Sequence, residues 1–149
     1  MKLSTWFAAG LVAAVALTTT AVVAQQDPIA ARQALMKDNG KAAGALAKML
    51  KGESPFDLAT AQQSFKTFQD VSAKMPALFP ADSKTGGDTT ASPKIWENMD
   101  DFKARFVKFA ADAKAAEASV KDLDGLKAAM GNIGKDCGGC HETYRIKKS

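Results

Sequence analysis

Cys137-Gly138-Gly139-Cys140-His141 is the stretch on which the reading of this 149-residue chain turns. Two thiols at i and i+3 on a helix project from one face, so both can add to the two vinyl groups along one edge of a porphyrin while the adjacent imidazole reaches the iron. The C-x-x-C-H pattern is the attachment signature of a c-type haem. The chain has 2 cysteines and 1 histidine in all, and every one of them lies in this stretch.

Other uses of the same residues fit less well. Structural zinc takes four Cys or His ligands, usually as two separated pairs, and the chain offers no second pair. A thioredoxin-like C-x-x-C follows a strand within a βαβ pattern, whereas this motif lies near the end of a sequence with no convincing strand. A disulfide across one helical turn would be strained and would leave His141 without a use.

At the other end of the chain, Met1 to Ala24 combines a basic Lys2, an apolar run from Trp6 to Leu17, and Val22-Val23-Ala24 as a small-residue cleavage site. This pattern predicts a secretory signal peptide over residues 1–24. A retained anchor needs roughly 20 apolar residues, and this run breaks at Thr18-Thr19-Thr20. Cleavage is expected after Ala24, leaving one domain over residues 25–149 with no membrane span. Export agrees with the motif, because c-type haem is attached outside the cytoplasmic membrane; the expected location is the periplasm. Loss of Lys2 lowers the formal charge from +4 to +3. That basicity is spread without a Lys/Arg cluster, so the pattern argues against nucleic-acid binding and is compatible with an acidic redox partner.

Between these ends the chain reads as helices. Asp27-Pro28, Ser54-Pro55 and Ser92-Pro93 each set an N-cap residue before a proline, whose missing N–H costs nothing at the first helical position. A first helix over about 28–51 carries Ile29, Leu35, Met36, Ala42, Ala43, Met49 and Leu50 and ends at Gly52. A second, about 55–75, presents Leu58, Ala61, Phe65, Phe68 and Met75 and stops at Pro76. Residues 76–91 show no sustained periodicity and read as one long loop. A third helix, about 93–118, repeats Ile95, Met99, Phe102, Phe106, Phe109 and Ala113, and a fourth, about 122–146, repeats Leu123, Leu126, Met130, Ile133, Cys137, Cys140 and Tyr144. The haem cysteines thus continue an apolar seam. Gly131, Gly134 and Gly138 weaken that helix by about 1 kcal/mol each relative to Ala; a flat macrocycle against it and simple flexibility both account for them. One apolar stripe on each helix predicts an all-α, antiparallel four-helix bundle with haem attached to the C-terminal helix.

A C-x-x-C-H so close to the chain end, within a four-helix pattern, resembles the class II cytochromes c, the cytochrome c-prime family. Arg32 followed by Met36, Pro93-Lys94-Ile95-Trp96 with Phe102 after it, and Tyr144-Arg145 past the haem histidine extend the resemblance. It covers the whole mature chain. It implies one covalent haem c per chain on the last helix, with the side chain four positions after the first-helix arginine, Met36, lying over the other face of the iron. It also suggests a homodimer through the first two helices.

The sixth ligand decides between functions. His141 serves as proximal ligand, so the sixth position holds a methionine, another weak ligand, or nothing. In family members resembling cytochrome c-prime proper an apolar side chain leaves the iron five-coordinate, high-spin and open to small gases; low-spin relatives use methionine and transfer electrons. At 1.5 Å per residue Met36 lies roughly 12 Å from its helix start and His141 roughly 10–12 Å from the chain end, which makes them level in an antiparallel pair. Met49 would be about 20 Å further along and Met130 about three turns from His141. Met75 and Met99 also fall near the haem end, and level does not choose among them.

Arg32 and Arg145 are each one turn from an axial residue and could pair with haem propionates or simply be solvated. Trp96 and Tyr144 could pack on the macrocycle or serve as ordinary core aromatics. The expectation is a periplasmic carrier of single electrons that exchanges with other periplasmic redox proteins through a haem ligated by His141 and Met36, and is not an enzyme. The alternative is a five-coordinate protein that binds NO or CO.

Overall fold

The computed structural model describes residues 27–147, and the expected signal peptide lies outside the described residues. Five helices follow in order: α1 (Pro28–Leu50), α2 (Leu58–Lys74), α3 (Lys94–Glu97), α4 (Met99–Ser119) and α5 (Leu123–Tyr144). Helix α1 packs on α2, α2 on α4, α4 on α5, and α5 returns to α1, closing the antiparallel four-helix bundle. Among the described residues no helix is long and apolar enough to cross a membrane.

The helix ends show which sequence signals act. Asp27 caps α1 through Oδ1, which accepts from the Ile29 N–H at 2.9 Å. Gly52, at φ +73°, ends it: the Gly52 N–H reaches the Met49 carbonyl at 3.1 Å and the Glu53 N–H the Lys48 carbonyl at 2.9 Å, a Schellman closure that uses glycine's left-handed freedom. Ser54 does not open α2 as its pairing with Pro55 suggested. Its N–H is engaged in closing α1, at 3.3 Å from the Lys48 carbonyl. Asp57 caps α2 instead, accepting from the Thr60 N–H at 2.7 Å.

The third predicted helix is in fact two. Ser92 Oγ accepts from the Lys94 N–H at 3.3 Å and opens α3, but the helical backbone breaks at Asn98 (φ −137°, ψ 52°). Asn98 closes α3 with its N–H and starts α4 with its carbonyl, a position asparagine tolerates because it gains little from a helix interior. The long loop is also more ordered than its composition suggests, with 3₁₀ turns at Met75–Leu78 and Ala81–Ser83.

The core divides along the bundle axis. At the far end Leu46, Phe65, Phe68, Leu126 and Ile133 pack with Met49, and Met130 lies against them. At the other end Val71, Met75, Ile95, Phe102, Phe106 and Tyr144 form a second cluster, against which Met36, Phe79, Trp96, Met99 and Cys140 pack. Leu46 and Val71 are core residues that the periodic stripes did not include, while Leu123, placed on a stripe, is 42% exposed.

Asp57→Ala is expected to lower the urea-denaturation midpoint through the lost cap. Ser54→Ala, in contrast, should leave the urea-denaturation midpoint within error, because the Ser54 side chain caps nothing.

Candidate haem-binding site

Glycine, cysteine and histidine at the end of α5 stay helical through the motif, which ends only at Tyr144. The i, i+3 spacing therefore places Cys137 and Cys140 on the wall of one cavity, together with His141. Both cysteines are free. That cavity, about 580 Å³, falls in the usual range for cofactor pockets, roughly 300–1,000 Å³. Helix α1 forms another wall with Arg32, Met36, Asn39 and Gly40, and Phe79, Phe102 and Phe106 supply aromatic lining.

The sequence placed six residues at this site, and all six line the cavity: Cys137, Cys140, His141, Met36, Arg32 and Arg145. Of the other methionines considered, Met75 also lines it but is wholly buried in the core; Met49, Met99 and Met130 do not line it. Trp96 does not line it either. Its indole Nε1–H donates to the Phe79 carbonyl at 3.1 Å and packs edge-on against the Phe79 ring, so Trp96 fastens the connection after α2. Tyr144 does line the cavity, with its ring against Phe102.

Arg32 departs most from the ordinary behaviour of its residue type. It is 5% exposed. Its guanidinium donates to Ser83 Oγ at 3.3 Å and to the Ser83 carbonyl at 3.0 Å, and lies 4.5 Å from the Phe79 ring centroid. Among the described residues it has no carboxylate at salt-bridge distance, and desolvation lowers its pKa, with Asp27 opposing from a distance. A buried cation paired only with neutral acceptors is what an anionic edge of a ligand would complete. Arg145 is exposed at the cavity wall, its N–H donating to the His141 carbonyl at 3.2 Å.

Burial pushes both thiols up, with Asp136 adding to the effect at Cys137 and Arg105 opposing it at Cys140. A reactive dithiol needs the reverse. Burial first, and the Arg145 charge second, push the His141 pKa down, favouring the neutral imidazole that can ligate a metal. An aromatic-lined cavity with two free thiols, one imidazole, the Met36 thioether and a buried guanidinium fits a covalently attached haem with propionates.

Four contributors were not anticipated. Phe79 and Ser83 come from the supposed loop, where no periodicity marks them. Arg105 and Asp101 sit four apart on α4, a legible ion-pair spacing, joined at 2.8 Å. Nothing in the sequence foretells that Arg105 Nη1 also reaches the Gly139 carbonyl at 2.7 Å.

Comparison with known proteins agrees with this geometry. The family described as Cytochrome C' matches residues 27–145. Two relatives from Rhodopseudomonas palustris are a cytochrome c', 50% identical over 149 residues and the full length of both chains, and a cytochrome c-556, 42% identical over 91% of this chain and 93% of its own. A solved cytochrome c' structure from Rhodopseudomonas palustris superposes with TM-score 0.81 at 51% identity, covering 84% of this chain and all of that one. The fold and the cavity define a class II cytochrome c, a four-helix bundle built around covalent haem c. The chain belongs to the cytochrome c' family, which includes the c-556 cytochromes.

Tyr144, the chain's single tyrosine, allows a direct test of the packing beside the motif. Its phenol is buried and donates to Asp101, and its pKa rises from 10 to about 12. The folded state thus holds this proton more tightly than the unfolded chain. The associated stability is complete below about pH 10 and is lost as pH rises to about 12. Ultraviolet phenolate absorption should titrate near the higher value, and Tyr144→Phe should remove this component of alkaline destabilisation.

Proposed function

We propose that this protein is an exported carrier of single electrons, with haem thioether-linked to Cys137 and Cys140 and its iron ligated by His141 and Met36. The observation that carries this reading is the meeting of Met36, from α1, with the C-x-x-C-H residues of α5 on the walls of one cavity, where the other methionine, Met75, is committed to the core. When bound, haem supplies a one-electron ferric/ferrous couple. Cys137 and Cys140 would hold the haem by thioether bonds to its two vinyl groups, each thiol proton going to the other vinyl carbon. His141 would supply a nitrogen ligand and Met36 a thioether, which would favour the ferrous state and raise the potential. Arg32 holds a fixed positive charge for one propionate, and Arg145 offers a more solvated one. With His141 and Met36 both engaged as ligands, no position would be left for a substrate, and on this reading the protein is not an enzyme. Its partners on this reading are other redox proteins of the periplasm, and a second copy of the chain packed through α1 and α2.

A second reading has one observation in its favour: a relative identical at half its positions carries the cytochrome c' name. In that reading Met36 overhangs the iron without binding it, and the open position takes NO or CO.

The absorption and EPR spectra of the oxidised holoprotein decide between the two. Six-coordination by His141 and Met36 predicts a low-spin signal, a weak far-red iron–sulfur charge-transfer band that disappears in Met36→Ala, and no rapid carbon monoxide uptake by the reduced protein. A high-spin spectrum with ready carbon monoxide binding would establish the gas-binding reading instead.

A further inference from the structure

Histidines that ligate metals are ordinarily oriented through their second ring nitrogen, which donates to a carboxylate or a backbone carbonyl. The His141 ring has no such protein partner among the described residues. What the protein fixes is the backbone that carries the ring. That backbone follows Gly138 and Gly139, the pair least able to stiffen a helix from within.

The bracing comes from α4. Arg105 Nη1–H donates to the Gly139 carbonyl at 2.7 Å, two residues before His141. Its Nε–H donates to Asp101 Oδ2 at 2.8 Å, and the Tyr144 hydroxyl, three residues after His141, donates to the same oxygen at 2.5 Å. The guanidinium also lies 5.1 Å from the Tyr144 ring centroid. Asp101 and Arg105 are thus tied to the chain on both sides of the axial residue. The hydrogen bonds shift their protonation in the directions that preserve the charges: Asp101 is lowered first by Tyr144 and then by Arg105, and Arg105 is raised chiefly by Asp101. Lys108 makes a different kind of contact. It joins Asp112 and Asp136 by 2.6 Å bonds between side chains and does not touch the backbone of the motif.

We propose that Arg105, held by Asp101 and Tyr144, is a positioning residue that sets the orientation of His141 on the iron and thereby tunes the reduction potential. The inference rests on His141 being the axial ligand. A planar fork is needed, since one side chain must bond a carboxylate and a carbonyl in fixed relation; a lysine supplies the charge without the fork.

The test uses haem-loaded protein and two readouts, the hyperfine-shifted His141 ring resonances in proton NMR of the ferric state and the reduction potential. Arg105→Met and Arg105→Lys are both expected to move the ring resonances. Both should also change the ratio of ferric to ferrous stabilisation by roughly threefold to tenfold, tenfold being about 59 mV for a one-electron couple. Tyr144→Phe, which keeps the ring packing, should move both in the same direction by less, and it serves if the arginine variants do not fold. Unmoved resonances and potential in Arg105→Met, or wild-type values in Arg105→Lys, would overturn the proposal, the latter by showing that charge alone suffices. If the wild type lacks shifted imidazole resonances, the axial assignment fails first and takes the proposal with it. The resonances report on the clamp whether or not Met36 binds iron, so the two questions are answered separately.

Discussion

The haem end of the bundle is held open by the connection between α2 and α3, which bonds to both α1 and α5. Ser83 takes two hydrogen bonds from Arg32 on α1, and the Asp88 carbonyl accepts from the Gln33 side chain at 3.3 Å. A few residues later the chain crosses the end of α5. The Ser92 N–H donates to the Tyr144 carbonyl at 3.0 Å and the Ile146 N–H to the Thr90 carbonyl at 2.8 Å, framing the isolated bridge between Ala91 and Arg145. Without these ties the first and last helices would be free to collapse on one another, because apolar surfaces left apart gain by meeting. With them, the space between the helices is bounded by a connection bonded to both.

Arg32 is the electrostatic counterpart of that scaffold. A guanidinium buried against Phe79 and held by a serine is costly on its own terms, since neutral acceptors do not return what a charge loses on leaving water. An apolar side chain would suit an α1 stripe; the arginine there instead leaves a buried cation, held by neutral acceptors, on the cavity wall. The raised thiols and the neutral imidazole fit the same environment, in which burial suppresses charge except where a partner is provided.

How much of this could be read beforehand depended on the range of the interactions. Helical periodicity and the C-x-x-C-H spacing are local, and from them the bundle and the cofactor were legible; Met36 was singled out by the resemblance to the class II cytochromes c, and Arg32 and Arg145 by lying one turn from the axial residues. Capping was legible where the donor and acceptor are neighbours, as at Asp27 and Gly52, and misread at Ser54, whose N–H serves the preceding helix. The break at Asn98 escaped notice because the apolar repeat from Ile95 to Phe102 continues across it in phase. Phe79, Ser83 and Arg105 were hidden for a different reason. Each acts on a partner tens of residues away, and nothing in the local pattern of an aperiodic loop or a charged helical face announces such a contact.

The division of the core has a consequence for the order in which the molecule is assembled. Leu46, Phe65 and Leu126 are wholly buried at the far end, where side chains fill the space between helices unaided. The cavity end has no such self-sufficiency, and Cys137 and His141 remain accessible from it. Local opening draws on the least densely packed region of a fold, so amide protection is expected to decline from the far end toward the cavity. The far half then acts as a jig: it presents α5 in register while the attachment chemistry proceeds at an end that has yet to set.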